Sequence, residues 1–346
     1  MSKVAIVTLV SKNYGNRLQN FALQETLVKL GHHVYTIPAY PYHFFRHSIK
    51  YVSKIIINYF LNRYPDIVWD EFDQQIKWSS TIVSSKNIAD KFDYFVAGSD
   101  QIWNPIFSIT SDRELLTFAP PEKRIAYSAS IGLNTFPDEY AEHYAEEWKK
   151  FKSISVRESQ ASEIIYNLTH ILSPVVLDPT LLLDKNDWVR RLKPDSQFKK
   201  YFVKYFLGRQ TNSVEQFIEN RVKQENANCI DITNSDGSLK PGIGPYEFLS
   251  LLYHSEGVFT DSFHGTVFSI IFEKPFLVFR RPTEKGYGDM NSRIDSLMNM
   301  LNIQSHFVES ETIIHDFDMN FDITTVNSIL NTKRDESINY LINAMK

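Results

Sequence analysis

Cysteine is nearly absent: Cys229 stands alone in 346 residues, which excludes a disulfide framework and a thiolate zinc site and fits a reducing cytosol. Its setting, NANCIDIT, reads as a buried strand. An excess of cations is missing too. Lys plus Arg number 37 against 41 Asp plus Glu, for a formal charge of −4, so no global field exists for wrapping nucleic acid and any anion site must be local. No uninterrupted apolar run approaches the roughly 18 residues of a membrane span. The opening MSKVAIVTLVSKNYG reads as a first strand, not a signal peptide. GxSxG, GxxxxGK and GxGxxG do not occur, which removes the usual support for a serine hydrolase, a P-loop enzyme or a standard dinucleotide site. His32, His33, His43 and His47 keep no ligand spacing with acids, and neither HExxH nor CxxC appears. No metal and no resident cofactor is expected.

What is present begins with aromatics, which make up 14% of the chain. That suits clefts offering flat faces to sugar rings, although core packing explains most of them. The first forty residues read as a βαβ start: a run Val4 to Val10, a polar turn, a helix with Leu23, Leu27 and Leu30 on one face, Gly31, then Val34 to Ile37. Asn16 is placed to cap that helix and Gly31 to close it. The alternation recurs through strands at 93–100, 124–130 and 153–159 and a helix at 138–151. After a solvated stretch at 193–200 it resumes, with helices at 213–225, 246–254, 263–273 and 291–301 and strands at 229–233, 257–260 and 276–280. The fold class expected is α/β, two Rossmann-like domains at 1–172 and 173–346, with the last helix returning to the first domain.

The segment 41–64 breaks this pattern. Phe45, Ile49, Val52, Ile56 and Phe60 share one helical face, beside Lys and Arg and no acid. It reads either as a core helix with a solvated basic edge or as an interfacial helix lying on anionic lipid headgroups.

In a parallel sheet, ligands bind beyond the carboxyl ends of the strands. The turns there are Asn13 to Asn16, Gly98 to Gln101, Ser128 to Gly132, Arg157-Glu158, Asp178 to Thr180, Thr260 to Gly265 and Arg280-Arg281. In TDSFHGTVF, one of Thr260, Asp261 or Ser262 caps a helix. His264 falls in its first turn, where amides and dipole favour an anion, and Gly265 permits close approach. A histidine there can donate a proton to bound substrate; otherwise it bonds a nearby carbonyl. Arg280 and Arg281 follow on a strand and point to opposite faces, so at most one serves the site. In GSDQIW, Ser99 offers a hydroxyl, Asp100 a carboxylate to orient or deprotonate a sugar hydroxyl, and Trp103 a stacking face; the alternative is a capped helix start with Trp103 packed beneath. Arg157 ends a strand and could fork onto a carboxylate, or pair structurally with Glu158 or Glu163.

Taken together, NYGNRLQNFALQ (13–24), AGSDQIWNP (97–105), YSASIG (127–132), SVRES (155–159), VLDPTLLL (176–183), TDSFHGTVFSIIFEKPF (260–276) and NSRIDSLMNMLNI (291–303) resemble the polysaccharide pyruvyl transferase family in order and spacing. The resemblance implies a GT-B-like pair of domains with the active site in the cleft between them. It implies phosphoenolpyruvate as co-substrate, a saccharide acceptor of a bacterial surface polysaccharide or its lipid-linked precursor, and a ketal product. The first domain, with its basic aromatic insertion at 41–91, would take the acceptor and the second the donor. The implied localisation is cytoplasmic, with peripheral contact at the inner membrane face. Carried over residue by residue, Arg157 and His264 match donor-binding or catalytic positions, and Asp100, Lys274, Arg280, Arg281 and Arg293 match more weakly. Asn13, Asn16, Ser99, Trp103, Ser262 and Gly265 complete the candidate set. A nucleotide-sugar glycosyltransferase would share the fold, and a non-catalytic carbohydrate-binding protein would share the aromatics.

Overall fold

The computed structural model describes residues 1–38, 67–85, 87–107, 112–193, 200–281, 291–309 and 317–346. The stripe Phe45, Ile49, Val52, Ile56 and Phe60 lies outside the described residues. The chain divides into two units, one of residues 1–183 with 333–346 and one of residues 184–332. The boundary read from sequence, at 172/173, falls earlier, because Val175 still bridges to the first sheet and the VLDPT turn bonds into it.

In unit 1, β1 (Lys3–Val7), β2 (His33–Thr36), β3 (Tyr94–Ala97), β4 (Arg124–Ala129) and β5 (Ser153–Val156) form one parallel sheet in the order β2-β1-β3-β4-β5. The strands are short and almost wholly buried, as continuous apolar runs in a parallel sheet must be. Helix α1 (Tyr14–Lys29) is capped by Asn13 and not by Asn16: the Asn13 side chain accepts the Asn16 amide at 3.4 Å. Gly31 follows it at φ 88°, the left-handed conformation that lets the chain turn back into β2. Further helices are α2 (Ile67–Asp73), α3 (Asp138–Trp148), α4 (Ser159–Thr169) and the short α5 (Pro179–Leu182), the last capped by Asp178.

In unit 2, α6 (Lys185–Val189) leads to β6 (Tyr201–Tyr205), α7 (Asn212–Gln224), β7 (Asn228–Asp231), α8 (Pro245–His254), β8 (Gly257–Thr260), α9 (Phe263–Ile271), β9 (Phe276–Phe279), α10 (Ser292–Leu301) and β10 (Phe307–Val308). The sheet order is β10-β9-β8-β6-β7. Counted from its own first strand, this is the same 2-1-3-4-5 arrangement as in unit 1. Strand β7 is therefore a sheet edge. Cys229 is exposed on it, which corrects the reading of NANCIDIT as a buried strand.

Helix α11 (Ile323–Ala344) ends the chain. Its later turns belong to unit 1: Arg334 Nε donates to the Leu181 carbonyl at 2.6 Å, the Leu177 amide donates to Ser337 Oγ at 3.0 Å, and the Tyr340 hydroxyl donates to the Ala126 carbonyl at 2.8 Å. No described helix is long and apolar enough to cross a membrane.

Candidate active site

A 2-1-3-4-5 sheet has its topological switch point between its first and third strands, where neighbouring loops part and leave a crevice beyond the carboxyl ends. In unit 1 this point lies between β1 and β3; Asn16, in the first turn of α1 after β1, and Asp100, in the turn after β3, stand there. Asn16 Nδ2 donates to Asp100 Oδ2 and Ser11 Oγ donates to Asn16 Oδ1. Asp100 sits at φ 74°, and its other oxygen accepts the Gln101 amide at 2.9 Å and Arg157 Nη2 at 3.3 Å.

Arg157 follows β5 directly and its side chain is only 1% exposed. Its guanidinium bonds Asp178 at 3.0 Å as well as Asp100, with Glu158 at 3.9 Å. Burial works against its charge, yet Asp100, Asp178 and Glu158 raise its pKa further above the ordinary arginine value. The partner foreseen for this arginine was a substrate carboxylate or Glu158 or Glu163. The structure engages it chiefly with Asp178 and Asp100, so its fork orients Asp100 from behind.

Ser99 is fully buried and its hydroxyl is spent inside the protein, donating to the Ser128 carbonyl at 2.7 Å. Its amide donates to Gln19 Oε1 at 2.8 Å, anchoring the turn to α1. Gly98, at φ 124°, lies against the Tyr127 carbonyl where a Cβ would collide. Trp103 is a core residue and not a platform for sugar: it is fully buried, donates Nε1–H to the Glu114 carbonyl at 3.2 Å and packs against Trp148 and Phe151. Asn13 serves as the α1 cap. Glu158, expected from the sequence only as a turn residue or a partner of Arg157, accepts from Ser130 Oγ and from the Ile131 and Gly132 amides, each at 3.0 Å, through one oxygen. Gln19 and Asp178 were likewise missed as anchors; the Asp178-Pro179 pair signals a helix cap but says nothing of its distant partners.

In unit 2 the switch point lies between β6 and β8. Asp261, at the end of β8, is 1% exposed and accepts the Leu207 and Gly208 amides at 2.7 and 2.8 Å, closing the loop that leaves β6. Ser262 caps α9, accepting the Gly265 amide at 3.4 Å, so its hydroxyl serves the helix. His264 stands in the first helical turn and is 5% exposed. At Gly265 a Cβ would strike Thr260 Oγ1. The close approach it allows is that of helix to strand, not of ligand to helix.

The two arginines after β9 separate as strand geometry requires. Arg281 turns to the α9 start, its Nε bonding Asp261 Oδ2 at 3.2 Å and its Nη2 the Asp261 carbonyl at 3.1 Å. Its backbone is held by both ends of the Asn291 amide at 3.1 Å. Arg280 turns away to Glu309 at 2.9 Å and Asp295 at 3.2 Å, over the ring of Phe307. Arg293 is buried near the start of α10. Lys274 does not join the group: it precedes β9, at the amino end of the parallel sheet, opposite His264. Burial lowers its pKa, as does the charge of Lys185, against the pull of Glu256.

Comparison with known proteins agrees with this architecture. The UDP-N-acetylglucosamine 2-epimerase of Rickettsia bellii superposes with a TM-score of 0.52 at 12% identity, covering 100% of this chain and 97% of that one. UDP-bound MnaA of S. aureus gives 0.50 at 12% identity, over 99% and 98% of the two chains. At such identities the likeness shows the fold alone, two Rossmann-like domains of the GT-B type. No curated protein matches the chain in sequence. A family model described as polysaccharide pyruvyl transferase matches residues 13–282, from the cap of α1 through the Arg281 turn. The match spans both switch points and well over half of the residues, and the chain belongs to the polysaccharide pyruvyl transferase family.

Proposed function

We propose that this protein moves the pyruvyl group of phosphoenolpyruvate onto two hydroxyls of one sugar in a surface polysaccharide or its lipid-linked precursor, forming a ketal and releasing phosphate. The observation that carries the reading is the start of α9, where a helix amino terminus, His264 in its first turn and Arg281 held on Asp261 stand together at the ends of β8 and β9. A donor with a phosphate, a carboxylate and a protonatable double bond calls for that set of groups. Family membership supports pyruvyl transfer to a saccharide; the donor and the ketal are the finer part of the proposal.

In this scheme His264 gives a proton to C3 of the enol and C2 gains cationic character. One sugar hydroxyl adds to C2 and loses its proton to a base. The bond from C2 to the phosphate oxygen breaks, phosphate departs, and the second hydroxyl adds with loss of its proton to close the ring.

Phosphate release from phosphoenolpyruvate in the presence of acceptor tests the reaction. His264→Gln is expected to lower kcat at least about a hundredfold, the usual cost of a lost general acid, with an unchanged melting temperature. An unchanged rate removes His264 from the chemistry. A chain stabilised by nucleotide sugars and not by phosphoenolpyruvate is a glycosyltransferase instead.

A further inference from the structure

Arg281 and Asp261 meet at the start of α9 on unequal terms. The Asp261 side chain has no exposure, whereas that of Arg281 keeps 19%. The guanidinium is therefore held from its buried side and open on the other. Nε donates to Asp261 Oδ2 at 3.2 Å, and Nη2 donates to the Asp261 carbonyl at 3.1 Å and to Oδ1 at 3.4 Å. These bonds use one edge of the fork. The N–H groups of Nη1 have no partner among the described residues.

Asp261 is fixed in turn. The Leu207 and Gly208 amides donate to Oδ1 and Oδ2 at 2.7 and 2.8 Å. Gly208 lets the loop after β6 close on the pair: a Cβ there would stand 2.9 Å from Arg281 Cγ and 3.1 Å from Asp261 Oδ2. The ends of β6, β8 and β9 are thus locked onto a single carboxylate, one residue before the Ser262 cap of α9. The sequence marks Asp261 only as a possible cap, and Ser262 takes that role. What Asp261 gives Arg281 is direction and not attraction, since the pair is formally neutral. An arginine already held in place loses less side-chain freedom on gripping an anion than a mobile one.

We propose that Asp261 is a positioning residue for donor binding: it holds Arg281 so that Nη1 meets the anionic end of the donor beside the α9 amino terminus. Asp261 itself touches no substrate and acts through Arg281. The proposal rests on the phosphoenolpyruvate reading and deepens it, separating the group that binds the anion from the group that aims it.

Steady-state phosphate release by the full chain, with phosphoenolpyruvate varied, is the test. Asp261→Asn is expected to raise KM for phosphoenolpyruvate at least about tenfold, with kcat falling less than KM rises. Arg281→Gln should do the same. Because one residue acts through the other, the double variant should match Arg281→Gln within about twofold instead of multiplying the two effects. Gly208→Ala, which crowds the arginine while both charges remain, should raise KM as well and replaces Asp261→Asn if that variant does not fold. An unchanged KM in the folded variant, a loss confined to kcat, or effects that multiply in the double variant overturns the proposal.

A further readout does not depend on turnover. The Arg281 Nε–H signal, identified in nitrogen-edited proton spectra by its absence from Arg281→Gln, should exchange with solvent at least about tenfold faster in Asp261→Asn and Gly208→Ala than in wild type. If wild type protects that signal and never consumes phosphoenolpyruvate, the pyruvyl reading fails and the hold of Asp261 on Arg281 stands. If turnover proceeds and neither KM nor exchange responds to the substitutions, the assignment of Asp261 fails alone.

Discussion

At the scale of single residues, the division between what a motif announces and what a side chain does is clearest at Arg157. The strand SISVR places a guanidinium at a sheet end, and that much is legible. Its partners are not, because Asp178 is 21 positions away and Asp100 57, and only the strand order brings them together. The same holds for Ser99 and Trp103, whose polar and aromatic character suggested ligand contacts and whose complete burial assigns them to the interior. His264 needed only a local rule, a polar cap after a strand, and its place in the first helical turn follows from that. For Arg157→Ala, removal of the cation leaves Asp100, Asp178 and Glu158 buried together, and breaking a buried pair of this kind costs about 3–5 kcal/mol. Urea unfolding should register the loss at neutral pH. A variant with wild-type stability and a raised KM for phosphoenolpyruvate would restore Arg157 to the donor site.

At the scale of elements, the helices and strands were legible because each carries its own apolar period and punctuation: helix 245–254 and strand 257–260, for example, fall where the sequence places them. Pairing across long separations was not, and α11 shows why. Its anchoring depends on the Tyr340 hydroxyl reaching a β4 carbonyl at 2.8 Å and accepting from Ser153 Oγ at 2.9 Å, contacts no local pattern encodes. Burial pushes the Tyr340 pKa up to about 12, against the opposing hydrogen bonds from Ser153 and Ser155. The folded value exceeds the unfolded value of about 10, so the stability this neutral phenol contributes is complete below pH 10. It is lost as pH rises through 12. Tyr340→Phe should therefore cost about 1 kcal/mol at neutral pH and flatten the alkaline fall in urea midpoint relative to wild type. Parallel pH profiles for the two proteins would show that the hydroxyl does not sense the fold.

At the scale of the whole molecule, the two sheets repeat one strand order, and each switch point gathers a carboxylate that ties neighbouring loops: Asp100 in unit 1 and Asp261 in unit 2. The repetition is visible as a recurring strand-turn-helix alternation, and the return of the last helix to the first domain is expected from the sequence; the structure adds that the returning part is residues 333–346. A chain ending after Thr332 removes Ser337, Tyr340 and Leu341 from unit 1, where Leu341 is fully buried. Such a chain should lose cooperative unfolding of unit 1 while unit 2 keeps its own transition, read by hydrogen exchange on β1 against β8. Equal protection in both chains would make the last helix dispensable.

This discontinuity also sets an order of assembly on the ribosome. Domains usually mature in the order in which they are synthesised. Here all of residues 184–332 are translated before the segment that completes unit 1 exists, so the second unit can finish first while the earlier one waits with part of its apolar surface uncovered. A nascent chain stalled before Lys333 therefore exposes apolar surface of unit 1 to chaperones, and a stop codon that removes residues 333–346 would damage the amino-terminal unit.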